Sequence, residues 1–555
     1  MIDYQAPLPD ILFAIEHAAG AGRLDGWDPE TAAEVLGHAA RFVDQMIAPL
    51  DPVGDHQGVA TVQGRAVMPQ AFKDAYAAFR EAGWPALAAD PDHGGQGLPH
   101  ILAGVVSEML SGACVSYQMV LSLAQGAMRT IQLNGTDDQK ARYLPKLASG
   151  EWLATMCLTE PTAGSDLGQA RTTATPTADG WSITGGKIFI SGGDQDLTDN
   201  IVHLVLARTG EPGSGIKGLS LFIAPAVLAD GTRNAISLVR MEEKMGMHAS
   251  PTCQLAFDGA WAEIVGQPGE GLARMFTMMN FERIEVALQG VGLADVALQR
   301  SLAYAAGRRQ GRAPGHVGAA PITAHDDVRR MLMTQMALTL GCRAMTYRAL
   351  VELELDDRSP LVDFLTPVAK AFCTDAAIAA AQAAIQVHGG YGYLTEYRVE
   401  QILRDARITQ IYEGTNGIHA MTLAGRLLKL DGGRCRQAFA ADVESALAGA
   451  SGALSETLAE AYGLWTWASE RVSQVAHVGT VADPYLRLTG LVAFGAAWAR
   501  LQAARDFAPD PARIAHLADF AAKWMLPESV HWARLCQSVS DLGLVPESVF
   551  DGGRA

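Results

Sequence analysis

The sequence predicts a mostly α-helical fold with a central antiparallel β-domain and an extra helical domain at the C-terminal end. Three observations predict it. Apolar residues recur at helical spacing from about residue 35 to 150, and again from about 270 onward. Between these stretches the pattern changes: WSITGGKIFIS, NIVHLVLAR, LSLFIAP and CQLAFD are short, alternating or β-branched segments separated by Gly, Pro and Asp clusters. Aromatic residues make up only 7% of the chain while Ala and Gly abound, which favours close-packed helices over a β-sandwich.

Taken in order, residues 1–35 read as a turn-rich N-terminal extension with one short apolar stretch, Ile11 to Ile15. Residues 36–152 read as a helical domain. Within it Thr136 and Gln139 make a capping box ahead of KARYLPKL, and Gly150 closes that helix. Residues 153–265 form the β-domain, whose turn signals every ~10–15 residues suit hairpins rather than strand–helix–strand units. Residues 266–430 form a bundle of long Ala-, Leu- and Met-rich helices, and the linker Asp431–Gly433 opens an additional helical domain over 431–555.

At 555 residues, 49% hydrophobic and 19% charged, the chain can bury a large core. Its net charge of −17 excludes a generally nucleic-acid-binding surface, which needs a basic excess. No apolar run approaches the ~18–20 uncharged residues of a membrane helix, so no integral membrane association is expected. The opening MIDYQAPLPD has no basic stretch ahead of an apolar run, so no secretory signal is expected. The seven cysteines lie 31 or more residues apart with no CxxC, and read as reduced core thiols of a cytoplasmic protein. GSGIKG (Gly213–Gly218) has GxGxxG spacing, but the strand-like LSLFIAP follows it, so it reads as a hairpin loop and not as a dinucleotide cradle. No HExxH or GxSxG occurs, and no metal-ligand set is expected.

Three stretches stand out. MCLTEPTAGSDLG (Met156–Gly168) gathers hydroxyl and small residues around Pro161, and offers closely spaced N–H donors to an anionic or electron-rich ring. QVHGGYGYLTEY (Gln386–Tyr397) interrupts a long helix with glycines, each costing about 1 kcal/mol in a helix interior. RDARITQIYEGTNGIHA (Arg404–Ala420) places Glu413 beside Ile411 and Tyr412, where desolvation raises a carboxylate pKa towards the ~6–7 useful to a general base.

Together these stretches resemble the acyl-CoA dehydrogenase family from about residue 40 to 430. The matching blocks, in family order, are T-E-P-x-A-G-S-D, G-x-K-x-x-I-S (Gly185–Ser191), Q-x-x-G-G-x-G-Y (Gln386–Tyr393) and Y-E-G-T. In detail the chain is similar to the longer bacterial branch that includes 3-(methylthio)propanoyl-CoA dehydrogenases, through YQAPLPDILF, EEKMGMHASPTC, MFTMMN, R-x-Q-G-R (Arg308–Arg312) and the C-terminal helical region. The resemblance implies a helical domain, a β-barrel-like domain and a helical bundle. It also implies FAD and the removal of two hydrogens from an acyl-CoA to give trans-2-enoyl-CoA, flavin N5 accepting the β-hydride and electron-transfer flavoprotein taking the electrons.

Residue by residue, the resemblance makes Glu413 the base that removes the Cα proton, with its own N–H donating to the thioester oxygen. Leu158 and Thr159 match contacts to the flavin pyrimidine edge, and Ser191 the hydroxyl at N5, usually Thr. Phe189 stands where a ring-stacking Trp is usual. Arg308, Gln310, Gln386 and Gly390 match contacts to the FAD of a neighbouring subunit, which implies a homodimer or higher homo-oligomer. Thr415 and Gly417 match residues near the adenosine of the chain's own FAD, although Gly417 has no side chain where Gln is frequent. Ser165, Asn280 and Arg283 match contacts to CoA, and Tyr412 and Gly414 flank the base at the substrate. Some family members carry the base one residue before the arginine matched by Arg283. Glu282 stands there, and with Y-E-G-T intact it reads as a solvated or ion-paired helix residue.

Two alternatives share the fold. An acyl-CoA oxidase runs the same half-reaction with O2 as acceptor. A DNA-associated flavoprotein needs a basic C-terminal domain, whereas residues 431–555 hold 10 Lys/Arg against 14 Asp/Glu. Tryptophan-bearing strings such as AYGLWTWASERV suit helix packing, a partner subunit or a membrane surface.

Overall fold

Asp28 and Pro29 start the first long helix, Pro29–Phe42: the Asp28 carboxylate accepts from the Thr31 amide at 2.9 Å, and proline occupies the first turn, where no N–H is needed. The expected boundary at 35/36 therefore falls inside a helix. The structure, a computed structural model, describes residues 3–537 and 542–550. The helix His100–Asn134 follows, then Asp137–Ala148, where Gln139 N–H donates to Thr136 Oγ1 and Thr136 N–H to Gln139 Oε1, closing the anticipated capping box.

The β-region runs from Trp152 to Val265. Asn200–Arg208 and Leu219–Pro225 pair antiparallel, so GSGIKG lies in a hairpin connection as expected. Leu219–Pro225 pairs with Thr252–Val265, that strand with Gly180–Ser191, and that one with Thr173–Thr177, all antiparallel. Thr173 returns to Arg208, which closes a small barrel. Two pairings depart from the antiparallel expectation. Thr173 meets Arg208 in parallel, and Trp152–Cys157 runs parallel to Asn200–Val205, because the 173–191 hairpin intervenes and brings the chain back in its original direction. Inside the barrel Ile183, Val205, Phe222, Leu255 and Phe257 form one core.

The chain divides into two contact-dense units that do not follow its order. The first comprises the described residues up to Leu8, Asp28–Ala305 and Ala384–Thr409. The second comprises Pro9–Trp27, Ala306–Ala383 and the described residues from Gln410 on. One expectation changes in consequence. Residues 8–19 are helical rather than turn-rich, because Ile11, Phe13 and Ile15 are buried and Arg348 Nη1 donates to Ala19 O at 3.3 Å. The C-terminal helices Arg434–Leu447, Gly452–Gln474, Gly479–Ala503, Pro511–Phe520 and Glu528–Gln537, the extra helical region expected, group with Ala306–Ala383 in the second unit. Gly341 explains the close fit: a Cβ there would fall 2.3 Å from the Phe494 ring, and Trp498 Nε1 donates to Ala337 O at 3.2 Å. Trp465 from AYGLWTWASERV is buried in this unit, its ring 4.9 Å from that of Phe439 and its N–H on Thr489. The chain's own core is therefore the surface this tryptophan covers.

The same unit ties sequence-distant ends together. Asp10 pairs with Arg513, and His17 stacks on Phe507 with centroids 4.6 Å apart. One stretch, Pro360–Tyr393, is long and apolar enough to cross a membrane by length and composition, contrary to the expectation that no such run exists. Most of its apolar window is buried in protein, and it carries the fully buried Lys370, so it reads as a core helix. All seven cysteines are buried and outside disulfides, as expected.

Candidate active site

Strand Trp152–Cys157 runs directly into Leu158 and Thr159, and the strand Gly180–Ser191 supplies Lys187 to them. The Lys187 side chain is fully buried; its Nζ donates to Leu158 O at 2.9 Å and to Glu160 Oε1 at 2.7 Å. The Arg171 and Thr172 amides also donate to the Glu160 carboxylate, at 2.6 and 3.1 Å. Burial opposes the Glu160 charge, but Lys187 and these amides outweigh it and hold the carboxyl below its usual range. Burial likewise lowers Lys187, offset in part by Glu160. The Thr159 carbonyl accepts from Ile188 N at 2.9 Å. Both carbonyls of the Leu158–Thr159 ledge are thus bonded inward.

Immediately after Lys187 the strand register slips, and the bulge puts Phe189 at φ +59° with 60% of its surface exposed. Ser191, half-buried, ends the strand opposite Thr252. Ser165 is exposed two residues past the turn that Glu160 and Ala163 close by mutual backbone bonds. A projecting aromatic ring beside a ledge whose carbonyls are already engaged suits a flat heteroaromatic group, and these residues fit a flavin.

The helix Gly271–Gly307 carries Asn280 and Arg283, which touch: Arg283 Nη1 donates to Asn280 Oδ1 at 3.0 Å. Glu282 between them, expected to be solvated or ion-paired, is not solvated. It is 2% exposed, and a Cβ on Gly126 would lie 2.6 Å from its Oε1, so it is packed against the helix His100–Asn134. One turn on, Glu285 is a buried acid that sequence reasoning missed. Burial pushes it up to about 7, although Ser107 donates to it and Gln118 approaches at 3.4 Å. No local signal separates Glu285 from an ordinary helix glutamate.

Arg308 and Gln310 lie in an exposed connection braced by its own backbone, with Ile322 N on Arg308 O and Gln310 N on Ala320 O, both 2.9 Å. Gln386 is exposed near the end of its helix, which stops at His388; Gly390 follows in an exposed 3-10 turn. The glycines thus end this helix rather than interrupt it, and a separate helix begins at Val399.

Glu413 is half-buried with φ +53°, and Gly414 follows at φ +88°. Two successive left-handed residues are rare, and a non-glycine one costs about 1–2 kcal/mol. Side chains hold the turn in place. Lys370 Nζ donates to Gly414 O at 2.9 Å and Asn416 Oδ1 at 3.0 Å, and His419 Nε2 lies 3.1 Å from Glu413 O. Asp375 accepts from Gln410 Nε2 at 2.6 Å, before Glu413, and from Asn416 Nδ2 at 2.9 Å, after it. Thr415 caps the next helix through Oγ1, accepting from Ile418 N at 3.2 Å, and Gly417 is exposed in that helix's first turn. Tyr412 is half-buried. Lys370 and Asp375, hidden in an Ala-rich helix, are further residues that sequence reasoning missed. The structure thus gathers Leu158, Thr159, Phe189 and Ser191 within the first unit, and Tyr412–Gly417 within the second.

Comparison with known proteins gives one consistent picture. Residues 29–151, 155–260 and 269–428 match the N-terminal, middle and C-terminal domains of acyl-CoA dehydrogenase, in that order. The 3-methylmercaptopropionyl-CoA dehydrogenase of Ruegeria pomeroyi is 40% identical over 528 residues, 89% of this chain and 90% of that one. Butyryl-CoA dehydrogenase from Megasphaera elsdenii superposes with a TM-score of 0.63 at 28% identity, covering 73% of this chain and 100% of its own. Caenorhabditis elegans ACDH-11, solved in complex with C11-CoA, superposes at 0.79 with 20% identity over 100% of this chain and 96% of its own. That last likeness is one of fold, and it takes in the C-terminal helices.

Proposed function

Because the chain belongs to the acyl-CoA dehydrogenase family, whose members are FAD-dependent oxidoreductases acting on acyl-CoA, we propose that it converts its acyl-CoA to the trans-2-enoyl-CoA with Glu413 as the base. FAD supplies the two-electron acceptor for the hydrogen leaving Cβ. Glu413 takes the Cα proton onto its carboxylate, and its own N–H polarises the thioester carbonyl, so one residue both acidifies the carbon and collects the proton. Tyr412 and Gly414 border the reacting carbons. Leu158, Thr159 and Ser191 would hold the flavin edge and Phe189 its face; Thr415 and Gly417 would lie towards its adenosine. Ser165, Asn280 and Arg283 would hold CoA, Arg283 as a fork for phosphate. Arg308, Gln310, Gln386 and Gly390, all at least partly exposed, would reach the FAD of a second copy in a homo-oligomer.

The observation that carries this reading is the left-handed Glu413, held on both sides by hydrogen bonds with Lys370 and Asp375 of a core helix. A bulky ionisable residue kept in a costly conformation is a mark of functional constraint. The relative at 40% identity supports a short methylthio-acyl substrate, with medium- to long-chain acyl-CoA as the rival. We further propose electron-transfer flavoprotein as acceptor, distinguished from an oxidase by slow flavin reoxidation in air. The seven buried cysteines support a cytoplasmic setting.

The test is an artificial-acceptor assay across a panel of acyl-CoAs. Glu413→Gln keeps the yellow holoprotein and loses about 10²–10⁴ in kcat, while Glu282→Gln stays active. Full activity in Glu413→Gln with loss in Glu282→Gln moves the base to the helix.

A further inference from the structure

The hydrogen bonds around Glu413 extend into the C-terminal helices. Asp375 holds both flanks of the base turn through Gln410 and Asn416, and its second oxygen, Oδ2, lies 3.3 Å from Arg487 Nη1. Arg487 belongs to the helix Gly479–Ala503. Its own orientation is fixed twice: Nε donates to Asp483 at 3.0 Å, and its guanidinium lies 5.0 Å from the centroid of the Trp532 ring, on the helix Glu528–Gln537. The same region lies against the helix that follows the base, with Val478 3.4 Å from where a Cβ on Gly425 would stand.

We propose that Arg487 is a positioning residue for the dehydrogenation, and that the C-terminal helices serve the active site by aiming the Glu413 turn through Asp375. The inference rests on Glu413 being the base. One oxygen of Asp375 accepts two amide N–H groups; the other faces the guanidinium. Arg487 favours the carboxylate form, and only that form leaves both oxygens free to accept. Burial pushes Asp375 above the usual aspartate range, and Arg487, Gln410 and Asn416 draw it part of the way back. The charged groups facing it are Arg487 and Asp483 from the C-terminal helix, while Lys370 on its own helix holds Asn416. Arg487 and Asp375 are 40% and 28% exposed at their side chains, so the coupling is modest.

The experiment compares holoenzymes carrying Arg487→Gln, Arg487→Lys, Asp375→Asn and Glu413→Gln, reading kcat, KM, flavin absorbance and thermal midpoint. Arg487→Gln should lower kcat roughly two- to fivefold with KM, flavin content and midpoint unchanged. The acid limb of its kcat profile should move to higher pH, because Asp375 loses the charge that favours ionisation. Arg487→Lys should restore much of the rate, and Asp375→Asn should lose more than Arg487→Gln. An unchanged kcat in Arg487→Gln beside an inactive Glu413→Gln overturns the proposal and leaves the base in place. A fall in kcat that tracks lost flavin or a lower midpoint also overturns it, by making Arg487 purely structural. An active Glu413→Gln overturns the base assignment and this inference together.

Discussion

Phe189 and Glu413 are both bulky residues held in left-handed backbone, at φ +59° and +53°, yet the two places are braced in different ways. Phe189 sits in a bulge of a paired strand, next to a lysine and glutamate buried as a pair. Glu413 has no ladder around it. Its turn is held by a hydrogen bond from Lys370 to the Gly414 carbonyl and by Asp375, which accepts from the side-chain amides of Gln410 and Asn416 on either side. The first arrangement presents a ring and needs only rigidity, so it is built into the barrel. The second, on the proposed reading, must aim an ionisable group, and hydrogen bonds to its flanks fix that direction. Damage to the first should therefore appear as lost stability, and damage to the second as lost turnover.

Substitutions at the two braces break or sharpen that contrast. Lys187→Met should have the largest effect on folding, about 3–5 kcal/mol, because it leaves Glu160 buried without its cation; chemical denaturation measures it. Its pH dependence follows from the direction of the Glu160 shift. The folded pKa lies below the unfolded 4.5, so the pair's contribution is fully present above pH ~4.5 and is lost as the pH falls through the folded value. The gap between wild type and Lys187→Met should accordingly narrow on acidification, and a gap that widens would contradict the ion-pair account. Lys370→Met should cost less stability, about 1–3 kcal/mol, but reduce kcat at least tenfold while flavin stays bound, the reverse emphasis. Gly414→Ala should follow at about 1–2 kcal/mol, since alanine is strained at φ +88° and its methyl would lie 3.2 Å from His419 Nε2; a rise in KM alone would count against its role in aiming Glu413. The smallest effect belongs to Phe189→Gly. Glycine relieves up to about 1 kcal/mol of backbone strain at a side chain that is mostly exposed, so the flavin-free protein should melt no lower while flavin affinity falls.

Local features of this architecture were legible in the sequence because local physics decides them. A threonine and glutamine three apart cap a helix wherever the helix lies, and GSGIKG ahead of a strand is a turn whatever the sheet does. What was hidden depends on residues far apart in the chain. Glu160 and Lys187 stand inside two recognisable motifs, but their pairing requires the register between strands. The parallel strand pair arises only because a hairpin intervenes. Lys370 and Asp375 look like incidental charges in an apolar helix until the Glu413 turn folds over them. Glu282 carries the same letter as a solvated helix glutamate, and only the glycine opposite shows that a second helix lies against it. The family blocks pointed to Glu413 from the start, yet they carry no sign of the backbone conformation that holds it.

The pairing of Asp10 with Arg513, and of His17 with Phe507, bears on how the chain is made. These partners are about five hundred positions apart. At roughly 5–20 residues per second on the ribosome, the N-terminal helix waits on the order of 25–100 s for its partners to be synthesised. Through that interval Asp10 and His17 lack these two partners, although Arg348, made earlier, can already meet Ala19. A nascent chain stalled before residue 505 should therefore hold its N-terminal helix more loosely than one released after 520, which gains both contacts.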